Sequence, residues 1–210
     1  MDVAGDFIQF GCGLSCPSGW KNYDSSPRLQ LQRLPIVGGL VPAGPFGRFP
    51  AGVIYGDIVR GLPVAPESAA LLYCSHVLEH LALDELRTAL RNSRRVLARG
   101  GTFRLVLPDL ETMITAYNRS TERDRAVSFI HATLMGCEVR DRTLRGRLRQ
   151  AFGASHHLWL WDYASLADEL AAAGFTNIRR AEIGDSGIAA FAAVEDPSRW
   201  QDCLGIQCQA

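Results

Sequence analysis

Residues Ala69 to Cys74 form an unbroken apolar run, without the alternation of a strand that has one wet face. Such a run is what a parallel strand covered on both sides needs, and it demands helices above and below the sheet that holds it. Other segments repeat the theme. Phe7–Phe10 and Val53–Tyr55 are short apolar strands, Thr102–Leu107 is a longer one, and Lys21–Asp24 reads as a strand ending on an acid. Asn177–Ile183 and Cys203–Gln207 read as two final strands.

Helical signals lie between them. From Leu83 onward, Leu86, Leu90, Val96 and Leu97 recur at near-helical spacing, with Asp84 and Glu85 at the start and Arg94, Arg95 and Arg99 before the stop at Gly100-Gly101. Further helices are expected over Leu110–Asn118, Arg123–Gly136 and Tyr163–Ala173, the last capped by Asp162 and ended by Gly174. Strands alternating with helices predict an α/β fold, a doubly wound and mainly parallel sheet. The 210 residues suit one domain spanning 1–210, with a long Pro/Gly-rich loop over 25–52 and a helical insertion over about 111–162.

In a doubly wound sheet, ligands bind outside the carboxyl ends of the strands. Here each strand ends on a residue able to meet a ligand: the turn Gly11-Cys12-Gly13, then Asp24, Asp57, Ser75-His76 and Pro108-Asp109. Glycines let backbone N–H groups come close to a ligand. Asp24 can accept from both hydroxyls of a ribose, Asp57 from an exocyclic amine, and Ile58 can cover an adenine face. Each taken singly also has an ordinary reading, such as an acid capping a helix.

His76-x-x-Glu79-His80 matches the inverted zinc-protease motif as well. That reading requires both histidines on one helix, whereas His76 directly follows a strand, so it belongs in the turn and His80 in the helix. Glu79 and His80 then cap the helix or serve as outer hydrogen-bonding groups. No metal is expected. The spacings Cys12–Cys16 and Cys203–Cys208 are not those of a zinc knuckle, and all six cysteines are expected to be thiols.

His156 and His157, in SHHLWLWD, are candidate bases for taking a proton from an acceptor, or else members of a structural cluster with Trp159 and Trp161. Asp109 is a third candidate base, in a position that equally suits a helix cap. Charge excludes little: 22 basic residues balance 22 acidic ones, which gives no field favouring nucleic acid. The basic run Arg140–Arg149 is a solvated face or an anion contact. No apolar run is long enough to span a membrane, the start lacks a secretion signal, and a cytoplasmic protein is expected.

The segments FGCGLSCPSGWKNYD, YGDIVRGLP, LLYCSHVLEHL, RRVLARGGTFRLVLPDLE and SLADELAAAGF resemble class I S-adenosylmethionine-dependent methyltransferases of the type 11 kind. The likeness implies a Rossmann-like sheet with an antiparallel final strand and S-adenosylmethionine as cofactor. It also implies that Gly11 and Gly13 line the methionine part, Asp24 holds the ribose, Asp57 and Ile58 meet the adenine, and Ser75 and His76 flank the sulfonium. The implied substrate is a small molecule, a sugar or sugar conjugate, and the long loop is a candidate for pairing two subunits. Two features depart from the family. Ser15 replaces the third glycine of the turn, and too few residues separate Gly13 from Asp24 for a helix. A catalytically silent adenosyl-nucleoside-binding or scaffold protein of the same fold is the alternative, and a zinc peptidase comes third.

Overall fold

The central strand of the apolar run pairs on both sides in parallel. Residues Ala69–Ser75 (β4) lie between Asp6–Phe10 (β1) and Leu97–Pro108 (β5), and every residue of β4 is buried. The computed structural model describes residues 5–36, 38–43, 47–136, 143 and 156–210. Lys21–Asp24 (β2) and Val53–Tyr55 (β3) extend the sheet beyond β1, while Thr176–Ala181 (β6) and Cys203–Gln209 (β7) extend it beyond β5. The order is β3-β2-β1-β4-β5-β7-β6, parallel from β3 through β5, with β7 antiparallel to both its neighbours. The expected fold class is observed. The direction of strand progression reverses between β1 and β4, so the switch point falls at their carboxyl ends.

Side chains divide the two faces of the sheet by the two-residue period of strands. Ile8, Phe10, Leu72, Cys74, Phe103 and Leu105 face helices Leu83–Val96 (α2) and Tyr163–Ala172 (α5), which bury Leu86, Leu90, Leu166 and Leu170 against them. On the other face, Leu71, Tyr73 and Val106 pack with Trp20, Phe191 and Trp200. No helix lies between β1 and β2, as the short spacing predicted. That face is covered instead by a segment returning from β6, made of a 3-10 turn at Ala189–Ala193 and the helical turn Pro197–Trp200 (α6).

Arg104 of β5 anchors this cover. Its fully buried guanidinium donates to Glu195 at 2.8 Å, Asp185 at 2.8 Å, Gln207 at 2.7 Å and the Glu182 carbonyl at 2.9 Å. It also lies over the rings of Phe191 and Trp200, 5.5 and 5.1 Å from their centroids. A buried charge persists only when it is paired and hydrogen-bonded, and here every neighbour that closes the face contributes a partner.

Several boundaries differ from expectation. Helix α2 ends at Val96 because Leu97 turns extended and pairs with Ala69, so the chain enters β5 ahead of Gly100-Gly101. His80 is outside α2: it closes a 3-10 turn at Leu78–His80, and α2 begins only after the extended residue Ala82, whose N–H donates to Glu85 Oε2 at 3.0 Å. The long loop contains a short helix, Pro27–Gln32 (α1), which sends Leu29 into a small cluster with Phe49 and Val53. The insertion after β5 forms helices Leu110–Arg119 (α3) and Arg125–Thr133 (α4), the second stopped by Leu134 in the left-handed region at φ 51°. Apart from Thr143, the basic run Arg140–Arg149 lies outside the described residues, as does Cys137.

Candidate active site

The turn after β1 starts the site. Gly11 has φ 63° and sits so close to Val77 that a Cβ there would be 2.2 Å from Val77 Cγ2. Gly13 has φ 56°, and nothing lies within 4 Å of where its Cβ would be, so its backbone faces open space. Ser15 has no positive φ, and its N–H donates to the Cys12 carbonyl at 2.9 Å. Glycine is therefore not required where the family carries its third one. Burial pushes the Cys12 thiol up to about 12, with Asp24 and Cys16 adding to the effect, so it stays protonated at neutral pH.

Asp24, 8% exposed at the end of β2, accepts the Gly13 N–H on Oδ2 at 2.8 Å and the Ser26 N–H on Oδ1 at 2.8 Å. Each carboxylate oxygen keeps lone-pair capacity beyond these bonds. The turn beside β3 is built similarly: Asp57 Oδ1 accepts the Val59 N–H at 2.9 Å, and Oδ2 lies 3.5 Å from Arg60. Ile58, expected against an adenine, is instead 5% exposed in the main core, where its carbonyl accepts from Asn92 at 2.8 Å.

Two cavities open at the carboxyl edge of the sheet. One, of about 430 Å³, is lined by the Gly11–Ser15 turn together with Arg28, Tyr73, Ser75 and Arg199. Asp24, Asp57 and Ile58 are not among its lining residues. A second cavity, of about 740 Å³, lies between α3, α4 and the start of β7, and it is lined by His76, Tyr117, Phe129, His157 and Cys203 among others. Both volumes are in the range of small-molecule pockets. Ser75 lines the first cavity and its neighbour His76 the second, while the segment from Arg199 to Cys203 borders both. The junction is tied together, since Arg199 donates to the Ser75 carbonyl at 3.3 Å and His76 Nε2 lies 3.6 Å from Cys203 Sγ.

His76 occupies the left-handed region at φ 55°, an unusual conformation for a residue with a side chain. Burial, then the charge of Arg199, lowers it to about 4, so it is neutral at pH 7. Beneath it, Glu79 is fully buried, neither carboxylate oxygen has a hydrogen-bond partner among the described residues, and burial raises it to about 7. His157 Nε2 stands 4.0 Å from Glu79 Oε1, and the rings of His80 and His157 meet edge to face at 5.0 Å. Burial lowers His157 too, with His80 adding to the effect.

The three predicted bases separate. His157 lines the larger cavity; His156 is exposed, with Nδ1 against the Leu134 carbonyl at 3.3 Å. Asp109 caps α3 by accepting the Glu111 N–H at 2.9 Å, lies 3.5 Å from Arg180, and is not among the cavity's lining residues. The zinc-protease arrangement is not assembled, since His76 turns to Ser75 and Cys203 while His80 turns to the His156 carbonyl. Arg28, Arg199 and Cys203 were missed by the sequence reading. They reach the site through the long loop and the return segment, and neither segment carries a periodic signal.

Residues 45–105 match the family model of a methyltransferase domain. No curated protein matches the chain. Among solved structures, the chain resembles the Haloferax volcanii protein crystallised with the Trm112 methyltransferase activator, at 16% identity over 100% of this chain and 83% of that one, with TM-score 0.52. It also resembles an S-adenosylmethionine-dependent methyltransferase of Thermotoga maritima, at 15% identity over 98% and 82% of the two chains, with TM-score 0.51. Against PigF solved with S-adenosylhomocysteine, at 16% identity, 98% of this chain aligns with 50% of that one at TM-score 0.49, so the chain spans half that protein's length. The family match covers residues 45–105, and the likeness to the solved methyltransferases is one of fold, in keeping with the strand order described above.

Proposed function

We propose that the chain transfers a methyl group from S-adenosylmethionine, held in the smaller cavity, to a small molecule held in the larger one. The observation that carries this reading is the shared wall: consecutive residues Ser75 and His76 face the two cavities, and the segment from Arg199 of α6 to Cys203 at the start of β7 borders both. The cofactor supplies an electrophilic methyl carbon on a sulfonium. The chain's residues fit it in three respects. Gly13 offers an unobstructed backbone, Asp24 behind the lining holds that turn in place, and Arg28 and Arg199 bring positive charge to a cavity that would receive an amino-acid carboxylate.

Geometry supplies most of the rate in such a reaction. Holding two reactants aligned lowers a barrier by about 7–11 kcal/mol, against about 10²–10⁴-fold for one proton-transfer group. The strained, neutral His76 at the wall suits positioning. Of the predicted bases, only His157 lines the acceptor cavity, and we assign it to the acceptor's side of the reaction.

The acceptor class we propose is a sugar or sugar conjugate. Tyr117 and Phe129 offer ring faces, and Thr112, Ser120, Ser128 and Arg125 offer hydrogen-bonding groups around them. Incubation with methyl-labelled S-adenosylmethionine and a panel of glycosides and nucleotide sugars tests this. Label in a glycoside supports it; cofactor binding without transfer to any member of the panel overturns the acceptor assignment and favours the silent nucleoside-binding alternative.

A further inference from the structure

Among the described residues, Glu79 has no hydrogen-bond partner that explains its burial. Its side chain is fully buried with both oxygens unbonded, and a carboxylate in such a place needs a cation or a proton. Two imidazoles converge on it from separate parts of the chain. Donor atoms of Glu79, His80 and His157 all lie within 4.8 Å of one another.

The backbone fixes this convergence. Leu158 and Trp159 both donate their N–H groups to the Glu79 carbonyl, at 2.8 and 3.2 Å, and so pin the 156–159 segment beneath the end of β4. His80 Nδ1 lies 3.1 Å from the His156 carbonyl. A carbonyl only accepts, so Nδ1 carries the hydrogen and Nε2 keeps the lone pair, as an outer hydrogen bond arranges the ring of a metal-binding histidine. In a tetrahedral site, two donors each about 2.1 Å from one ion stand about 3.4 Å apart. The 4.0 Å between His157 Nε2 and Glu79 Oε1 needs to close by about half an ångström, and a separation at the 4.8 Å bound by about 1.4 Å.

We infer that Glu79, His80 and His157 bind one divalent transition-metal ion at the floor of the acceptor cavity. Sequence reading expected no metal, because it sought both histidines on one helix; the third ligand instead comes from the segment before α5. Two imidazoles and one carboxylate select zinc-like ions over magnesium, and three protein ligands leave a coordination position free. His157 also lines the cavity, so that position faces the acceptor. Resting on the methyltransferase reading, this narrows the acceptor to one that presents an oxygen donor. An ion there lowers the pKa of an acceptor hydroxyl, whose proton passes to water. The oxygen–carbon bond then forms as the carbon–sulfur bond of the cofactor breaks.

The test uses chelator-treated full-length protein, titrated calorimetrically with Zn²⁺ and spectroscopically with Co²⁺, alongside Glu79→Gln and His157→Ala. Expected are one equivalent of metal for the parent, a visible Co²⁺ band of low coordination number, and at least a tenfold loss of affinity in each variant. S-adenosylhomocysteine binding is measured on the same samples to show that the variants are folded. Absence of metal binding, equal affinity in folded variants, or a preference for Mg²⁺ over Zn²⁺ overturns the metal site. If S-adenosylhomocysteine still binds the parent, only the metal site falls and the methyltransferase reading stands.

Discussion

The backbone N–H of Gly13 donates to Asp24 Oδ2 at 2.8 Å, and this bond fixes the turn after β1 to the tip of β2. The other carboxylate oxygen holds Ser26 at the start of α1. One side chain thus fastens two loops that frame the smaller cavity.

Asp24→Ala removes both acceptors and leaves two loop N–H groups without partners. Loss of about 1–3 kcal/mol of stability is expected, because unsatisfied polar groups near the interior carry their full desolvation cost. Urea unfolding reads the stability and calorimetry the cofactor affinity, which falls at least tenfold. Asp24→Asn, with one acceptor kept, lies between.

Gly11 and Val77 form a steric pair. Gly11→Ala places a Cβ against Val77 and demands φ near 63° from a residue that resists it, at a cost of about 1–3 kcal/mol. Adding Val77→Ala relieves the clash but not the backbone strain, so thermal melts of the double variant recover part of the loss.

The Arg104 network predicts the acid behaviour of the fold. Hydrogen bonds from Arg179 and Arg104 overcome the effect of burial and hold the Asp185 carboxyl far below its ordinary range. A depressed folded-state value means that the stabilisation is present above the unfolded carboxylate range near pH 4 and is lost as pH falls below it. Melting temperature should drop steeply from pH 4 to pH 2, and Asp185→Asn should flatten that slope while lowering stability at pH 7. Arg104→Met, which strands the buried Glu195, costs about 3–5 kcal/mol.

Ala116 is exposed on α3 and borders the larger cavity. Ala116→Trp should narrow the acceptor site without disturbing the core. Acceptor KM rises or turnover falls, while S-adenosylhomocysteine affinity stays within twofold of the parent.

Much of this was legible from local rules. The unbroken apolar run at Ala69–Cys74 specified a doubly covered strand, and the strand-end residues lie along the edge of the sheet where both cavities open. The gap between Gly13 and Asp24 foretold the missing helix. What local pattern could not show is what replaces that helix: Phe191, Trp200 and Arg104 meet only after the chain has crossed the whole sheet. The same holds at the site. His76 was correctly read as a turn residue, but its separation from His80 depends on the extended Ala82, and the approach of His157 to Glu79 depends on hydrogen bonds between distant segments. Ile58 was read as a ligand contact; an apolar side chain at a strand end suits the core equally, and the sequence pattern does not separate the two.

The central claim is that the Gly11–Ser15 turn and Arg199 enclose the adenosyl cofactor. Ser15 is exposed at the lining of that cavity, and its backbone tolerates any side chain. Calorimetric titration of S-adenosylmethionine into the parent and into Ser15→Trp is the direct measurement. The account predicts one saturable site in the parent and at least tenfold weaker binding in the variant; no binding by the parent, or equal binding by both proteins, would contradict it.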